Sequence, residues 1–104
     1  MAATQEVEVL RTGDLEVVPR TGLVRVAGEP LALSVRELGV LAALLRREGR
    51  VASREELYAE VWGGELRPSD RSVDVYVHKL RVKLEAVLGD RQVIHTHFGF
   101  GYRV

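Results

Sequence analysis

The sequence predicts an α+β fold, with a four-stranded antiparallel sheet, then three helices, then a β-hairpin. Three observations carry this prediction. Apolar residues alternate with polar or small ones between Val7 and Leu33, the period of a half-buried strand. At Ser34 the period lengthens to that of a helix and stays there to Leu88. Beyond Gly89-Asp90 the pattern turns strand-like again, around a glycine-containing tip.

Taken in order, the pairs Val7/Val9, Leu15/Val17, Val24/Val26 and Leu31/Leu33 mark the strands. Thr12-Gly13-Asp14, Pro19 to Gly22 and Gly28-Glu29-Pro30 supply the turns, which makes a meander. Ser34-Val35-Arg36-Glu37 fits a capping box, where a hydroxyl and a carboxylate satisfy first-turn amides. Leu38, Leu41, Leu44 and Leu45 follow as an apolar stripe that stops near Gly49. Ser53-Arg54-Glu55-Glu56 repeats the box and opens a second helix, with Leu57, Val61 and Trp62 facing inward and Gly63-Gly64 ending it. A loop containing Pro68 leads to a third helix over about residues 70–88, and residues 93–104 form the hairpin. Helix-turn-helix elements followed by a wing are the expected architecture. The expected organisation is a disordered tail over residues 1–6 and one domain over 7–104, with the sheet in 7–33 and the three helices in 34–88.

The third helix has two faces with opposite demands. At about 100° per residue, Val73, Val77, Leu80 and Leu84 share one narrow stripe that needs a core. Roughly opposite lie Ser72, Val75 and Lys79, with Tyr76 and Lys83 on one shoulder and Arg71 and His78 on the other. Short polar, apolar and cationic side chains together suit the floor of a DNA groove. As a group, Arg71, Lys79, Arg81 and Lys83 point to phosphate contacts, although each alone is an ordinary solvated charge.

Composition excludes several classes. The 104 residues contain no cysteine, hence no disulfide, thiolate metal site or cysteine nucleophile. No apolar run approaches the roughly 20 residues of a membrane span. The formal net charge of zero hides a polarity, because residues 1–65 carry a net −3 and residues 66–104 a net +3. His95 and His97 point the same way on a strand, but no third ligand accompanies them, so no metal is expected. Ser34 and Ser53 are helix caps rather than nucleophiles, and no enzyme and no cofactor are expected.

From Leu33 onward the segments LSVRELGVL, GRVASREELYAEVWG, RSVDVYVHKLRVKLE and IHTHFGFGYRV resemble the C-terminal winged-helix DNA-binding domain of OmpR/PhoB-type bacterial response regulators. The preceding strands match by pattern alone. The resemblance implies a third helix in the major groove of double-stranded DNA and a wing near the adjacent minor groove. It places Arg71 and Arg81 at phosphate-contact positions, and Ser72, Val75, Tyr76 and Lys79 at positions facing bases or the groove wall. His78 stands where an Arg is common. Trp62, Thr96 and Tyr102 match positions whose polar hydrogens reach phosphates. The loop Gly63, Gly64, Glu65, Leu66, Arg67, Pro68 and Ser69 matches one that faces RNA polymerase. The resemblance further implies regulation of bacterial transcription, a site in the cytoplasm at the nucleoid, and a second protomer on a tandem direct repeat.

Two departures alter these expectations. Where the family's hairpin usually reads Thr-Val-Arg-Gly, this chain has Thr96-His97-Phe98-Gly99, without the cation that exploits a narrow groove's potential. His97 is the partial substitute if protonated, while Phe98 is left to pack, wedge or stack. His78-Lys79 stands where paired arginines often occur, and Lys lacks Arg's two-pronged geometry. No receiver domain with its phosphorylatable aspartate is included, which fits an excised effector domain or a regulator controlled otherwise. The alternative function is a winged helix used chiefly for protein contacts, for example with polymerase through the 63–69 loop.

Overall fold

A computed structural model describes residues 7–104, so the tail expected over residues 1–6 lies outside the described residues. Strands β1 (Leu10–Thr12), β2 (Leu15–Val18), β3 (Leu23–Val26) and β4 (Glu29–Pro30) form one antiparallel sheet in sequence order. Turn chemistry sets its register. Gly13 at φ +52° opens a two-residue turn that pairs Thr12 with Leu15 and Leu10 with Val17. Ala27 and Gly28, at φ +50° and +82°, make a second two-residue turn of the type that suits twisted hairpins.

That register corrects the outer strands. The first strand is Leu10–Thr12 rather than Val7/Val9, and Val7 and Val9 are exposed. A two-residue hairpin loop admits only one pairing, so the even-numbered residues Leu10 and Thr12 turn inward. Leu31 and Leu33 lie in an extended connection after β4, where they still pack on the core.

Helices α1 (Val35–Arg46) and α2 (Arg54–Val61) both start with complete capping boxes. Ser34 accepts from Glu37 N and Ser53 from Glu56 N, and each glutamate accepts from its serine's amide. Helix α3 (Ser72–Leu88) begins differently. Its cap residue Arg71 contributes no side-chain bond, and the Asp70 carboxylate accepts from the Ser72 amide at 2.8 Å instead. Val73, Val77, Leu80 and Leu84 are buried as the stripe predicts, with α3 packed against α1 and α2.

Strands β5 (His95–His97) and β6 (Gly101–Arg103) form the C-terminal hairpin. Ala52 exchanges both backbone bonds with Tyr102, at 2.8 and 2.9 Å, so this residue, two before α2, serves as a third, single-residue strand of the wing. Gly101 makes this possible. A Cβ there would lie 2.0 Å from the Ala52 carbonyl oxygen, and its φ of +142° also favours glycine.

Candidate nucleic-acid interface

With one stripe of α3 in the core, the helix's opposite side is fixed toward solvent. There Arg71, Val75, His78 and Lys79 are exposed, Val75 at 45%. Val82 belongs to this face as well, at 53% exposure, although the sequence reading did not single it out. Its position seven residues after Val75 was the available signal.

The two shoulders of α3 are held by different neighbours. On the first, Tyr76 meets the Trp62 ring edge-on at 5.6 Å, and Trp62 stacks on Tyr58 at 5.3 Å. Arg36 lies 4.9 Å over Trp62 while donating to the Val61 carbonyl at 2.9 Å. Lys79 Nζ sits 4.6 Å above Tyr76, so an aromatic wall braces the cation that the exposed face presents. Trp62 and Tyr76 are thus partly buried ladder members. Tyr58 and Arg36 are members that sequence spacing did not reveal.

Lys83, expected to meet phosphate, is paired within the fold. Its ammonium donates to Glu37 Oε1 at 2.6 Å and to the Ala32 carbonyl at 3.5 Å. Glu37 is only 3% exposed. Burial pushes its carboxyl up, but bonds from Lys83 and Ser34 outweigh this and hold it below the usual range. A buried carboxylate needs a cation, and Lys83 is the one that reaches it.

On the second shoulder, Asp74 joins α2, α3 and the wing. Arg54 Nε donates to it at 2.7 Å, the Tyr102 hydroxyl also donates to it, and Arg71 lies 3.8 Å away. Burial pushes the Asp74 carboxyl up; the bonds from Tyr102 and Arg54 overcome this and lower it. Burial raises the Tyr102 phenol, and its bond to Asp74 adds to that. Tyr102, expected to reach phosphate, is buried with its hydroxyl donating to Asp74.

Arg81 has a structural task beside any outward one. Its Nη2 donates to the Ile94 carbonyl at 2.9 Å and to Thr96 Oγ1 at 2.6 Å, tying the wing to α3. Thr96 accepts that bond and keeps its own hydroxyl hydrogen. His97 Nε2 accepts from Arg103 Nε at 3.1 Å, so the cation on this part of the wing is Arg103, which the sequence reading passed over. Ser72 is half-buried, with its hydroxyl donating to Asp70. Phe98 is 89% exposed and is not core.

The loop from Gly63 to Ser69 runs from the end of α2 toward α3. Gly63 and Gly64 adopt φ of +80° and +88°, and every residue but Leu66 is exposed. Among the described residues no group of three His, Asp or Glu side chains is placed to hold a metal. Among the same described residues no helix is long and apolar enough to cross a membrane.

Comparison with known proteins gives a consistent picture. The family described as "Transcriptional regulatory protein, C terminal" matches residues 28–104. The transcriptional regulatory protein CreB of Escherichia coli is 38% identical over 94 residues, covering 90% of this chain and 41% of CreB. The chain spans about two fifths of the length of the curated relatives it matches. Among solved structures, the DNA-binding domain of CpxR from E. coli superposes with a TM-score of 0.83 at 31% identity, over 92% of this chain and 94% of that one. The Klebsiella pneumoniae RstA DNA-binding domain, solved in complex with the RstA box, gives a TM-score of 0.82 at 30% identity, over 92% and 95%.

Proposed function

Because this chain belongs to the family of transcriptional regulatory protein C-terminal domains, in its OmpR/PhoB-type winged-helix form, we propose that it binds double-stranded DNA sequence-specifically and regulates bacterial transcription from the cytoplasm. The observation that carries this reading is the outward face of α3. Arg71, Val75, His78 and Lys79 share an exposed stripe whose opposite side is the core. A helix offering this mixture fits the major groove, with phosphate contacts fixing register and side chains on the stripe choosing bases.

In this reading Arg71 meets a phosphate, Lys79 and His78 address base edges, and Val75 meets a thymine methyl. Ser72, Trp62, Tyr76, Thr96 and Arg81 line the flanks, with His97 and Phe98 on the wing. Lys83 and Tyr102 serve the fold. A second protomer occupies the adjoining half of a direct repeat. The Gly63–Ser69 loop, exposed apart from Leu66, is in this reading the surface that meets RNA polymerase. Alanines at Glu65 and Arg67 are then expected to lower transcription in a purified system while leaving DNA affinity intact.

The experiment is a selection of bound genomic fragments, followed by footprinting of purified protein. Protection of a short repeated element is expected, with a log–log salt slope of about −0.9 per phosphate contact, shallower by about one contact in Arg71→Ala. Binding without sequence preference, or without salt dependence, refutes the reading.

A further inference from the structure

The wing ends in two solvated phenyl rings. Phe98 is 89% exposed and Phe100 75%, whereas Tyr58, Trp62, Tyr76 and Tyr102 are all at least partly buried. The turn that carries them is closed by the Phe100 amide donating to the His97 carbonyl at 2.9 Å, with Gly99 at φ +83°. Its stem is stiff. Gly101 seats against the Ala52 backbone, Ala52 and Tyr102 exchange two hydrogen bonds, and Arg81 fastens Ile94 and Thr96 to α3. The tip is thus held at a set position relative to the helix that addresses the groove. Charge divides along the hairpin: Arg103 stands on the stem, while the tip residues Phe98, Gly99 and Phe100 carry no charge.

We propose that Phe98 and Phe100 act as an apolar wedge that enters the minor groove beside the site of α3 and opens a base step there. The proposal rests on the DNA-binding reading above. A helix in a major groove about 12 Å wide leaves a hairpin at its flank one phosphate strand away from the neighbouring minor groove. Arg103 on the stem suits that strand. A cation at the tip would draw on the potential of a narrow AT-rich groove, but a phenyl ring cannot. Two phenyl rings gain instead by leaving water for the faces of bases, which requires a step to part. Pyrimidine–purine steps part most readily, so the wedge selects a TA or CA step beside the half-site rather than an A-tract, and it kinks the duplex.

The test uses the whole chain and a fragment recovered from the genomic selection, with 2-aminopurine at the flanking step and fluorophores at the two ends. The parent is expected to raise the 2-aminopurine signal and shorten the end-to-end distance. The Phe98→Ala/Phe100→Ala protein is expected to abolish both effects, to lose affinity on the order of tenfold, and to melt with the parent because both rings are exposed. Substituting an A-tract for the TA or CA step is expected to weaken the parent and not the double variant. A silent 2-aminopurine signal with the parent, or undiminished affinity in the double variant, overturns the wedge. So does a loss seen only on two-site DNA, which places the tip against a second copy. Tighter binding by Phe98→Arg with a new A-tract preference overturns it in favour of a passive tip. If the parent binds no fragment at all, the DNA-binding reading falls first and the wedge with it.

Discussion

Replacing Lys83 with methionine separates a fold-stabilising lysine from a DNA-facing one. The substitution keeps the aliphatic stem and removes the ammonium 2.6 Å from Glu37 Oε1. The carboxylate retains the Ser34 amide at 2.8 Å and its place in the first turn of α1, so it is not left wholly unpaired. Lys83 is partly open to solvent, at 39% for its side chain, which screens the pair. The expected cost is therefore that of one charged hydrogen bond lost from a buried acceptor, about 1–3 kcal/mol, not the larger penalty of an isolated buried ion. For a domain of this size each kcal/mol lowers Tm by about 4–8 °C. Thermal unfolding of Lys83→Met, Glu37→Gln and the double variant measures the coupling. The Glu37 carboxyl is held low in the native state, so its stabilisation is present above the unfolded value of about 4.3 and is lost as pH falls through the native one. The penalty of Lys83→Met is thus expected near neutral pH and is expected to vanish in acid. An unchanged Tm, together with a DNA salt slope shallower by one contact, refutes this assignment and returns Lys83 to the groove.

Other outcomes follow from the wing and its junction with α3. Gly101→Ala drives a Cβ to within 2.0 Å of the Ala52 oxygen and is expected to cost more than about 3 kcal/mol by chemical denaturation. Gly99→Ala meets no atom within 4 Å and is expected to lose only about 1–2 kcal/mol, from its left-handed backbone. Asp74 is also held low, so the clamp of Arg54 and Tyr102 contributes above about pH 3.9 and is lost as pH falls through the lower native value. Asp74→Asn is expected to flatten the stability–pH curve in that acid window, and an unaltered curve excludes the clamp.

The parts of this fold that local chemistry dictates were legible in the sequence. Ser34 and Ser53, each three residues before a glutamate, located two helix starts to the residue. The buried stripe of α3 followed from spacing alone. The first strand was misplaced because Val7-Glu8-Val9-Leu10 supports either parity, and only the two-residue turn at Gly13-Asp14 decides which residues face inward. The outward face of α3 was legible to the extent that the core stripe fixed it. What sequence pattern could not assign were partners far apart in the chain. Lys83 and Glu37 are 46 residues apart and Tyr102 and Asp74 are 28, and nothing in either neighbourhood marks one as the other's partner. Arg103 and His97 are only six residues apart, but their bond depends on the hairpin register, which spacing alone did not fix.

The central claim is that one face of α3 reads DNA while the other holds the domain together, and Lys79 beside Leu80 tests it most directly. Lys79 is exposed over Tyr76, and Leu80 is fully buried. On the footprinted element against a scrambled one, Lys79→Ala is predicted to keep the parent Tm and lose about 1–3 kcal/mol of preference. Leu80→Ala is predicted to lower stability by about 2–5 kcal/mol. A Lys79→Ala protein that discriminates the two sequences as well as the parent does would contradict the account.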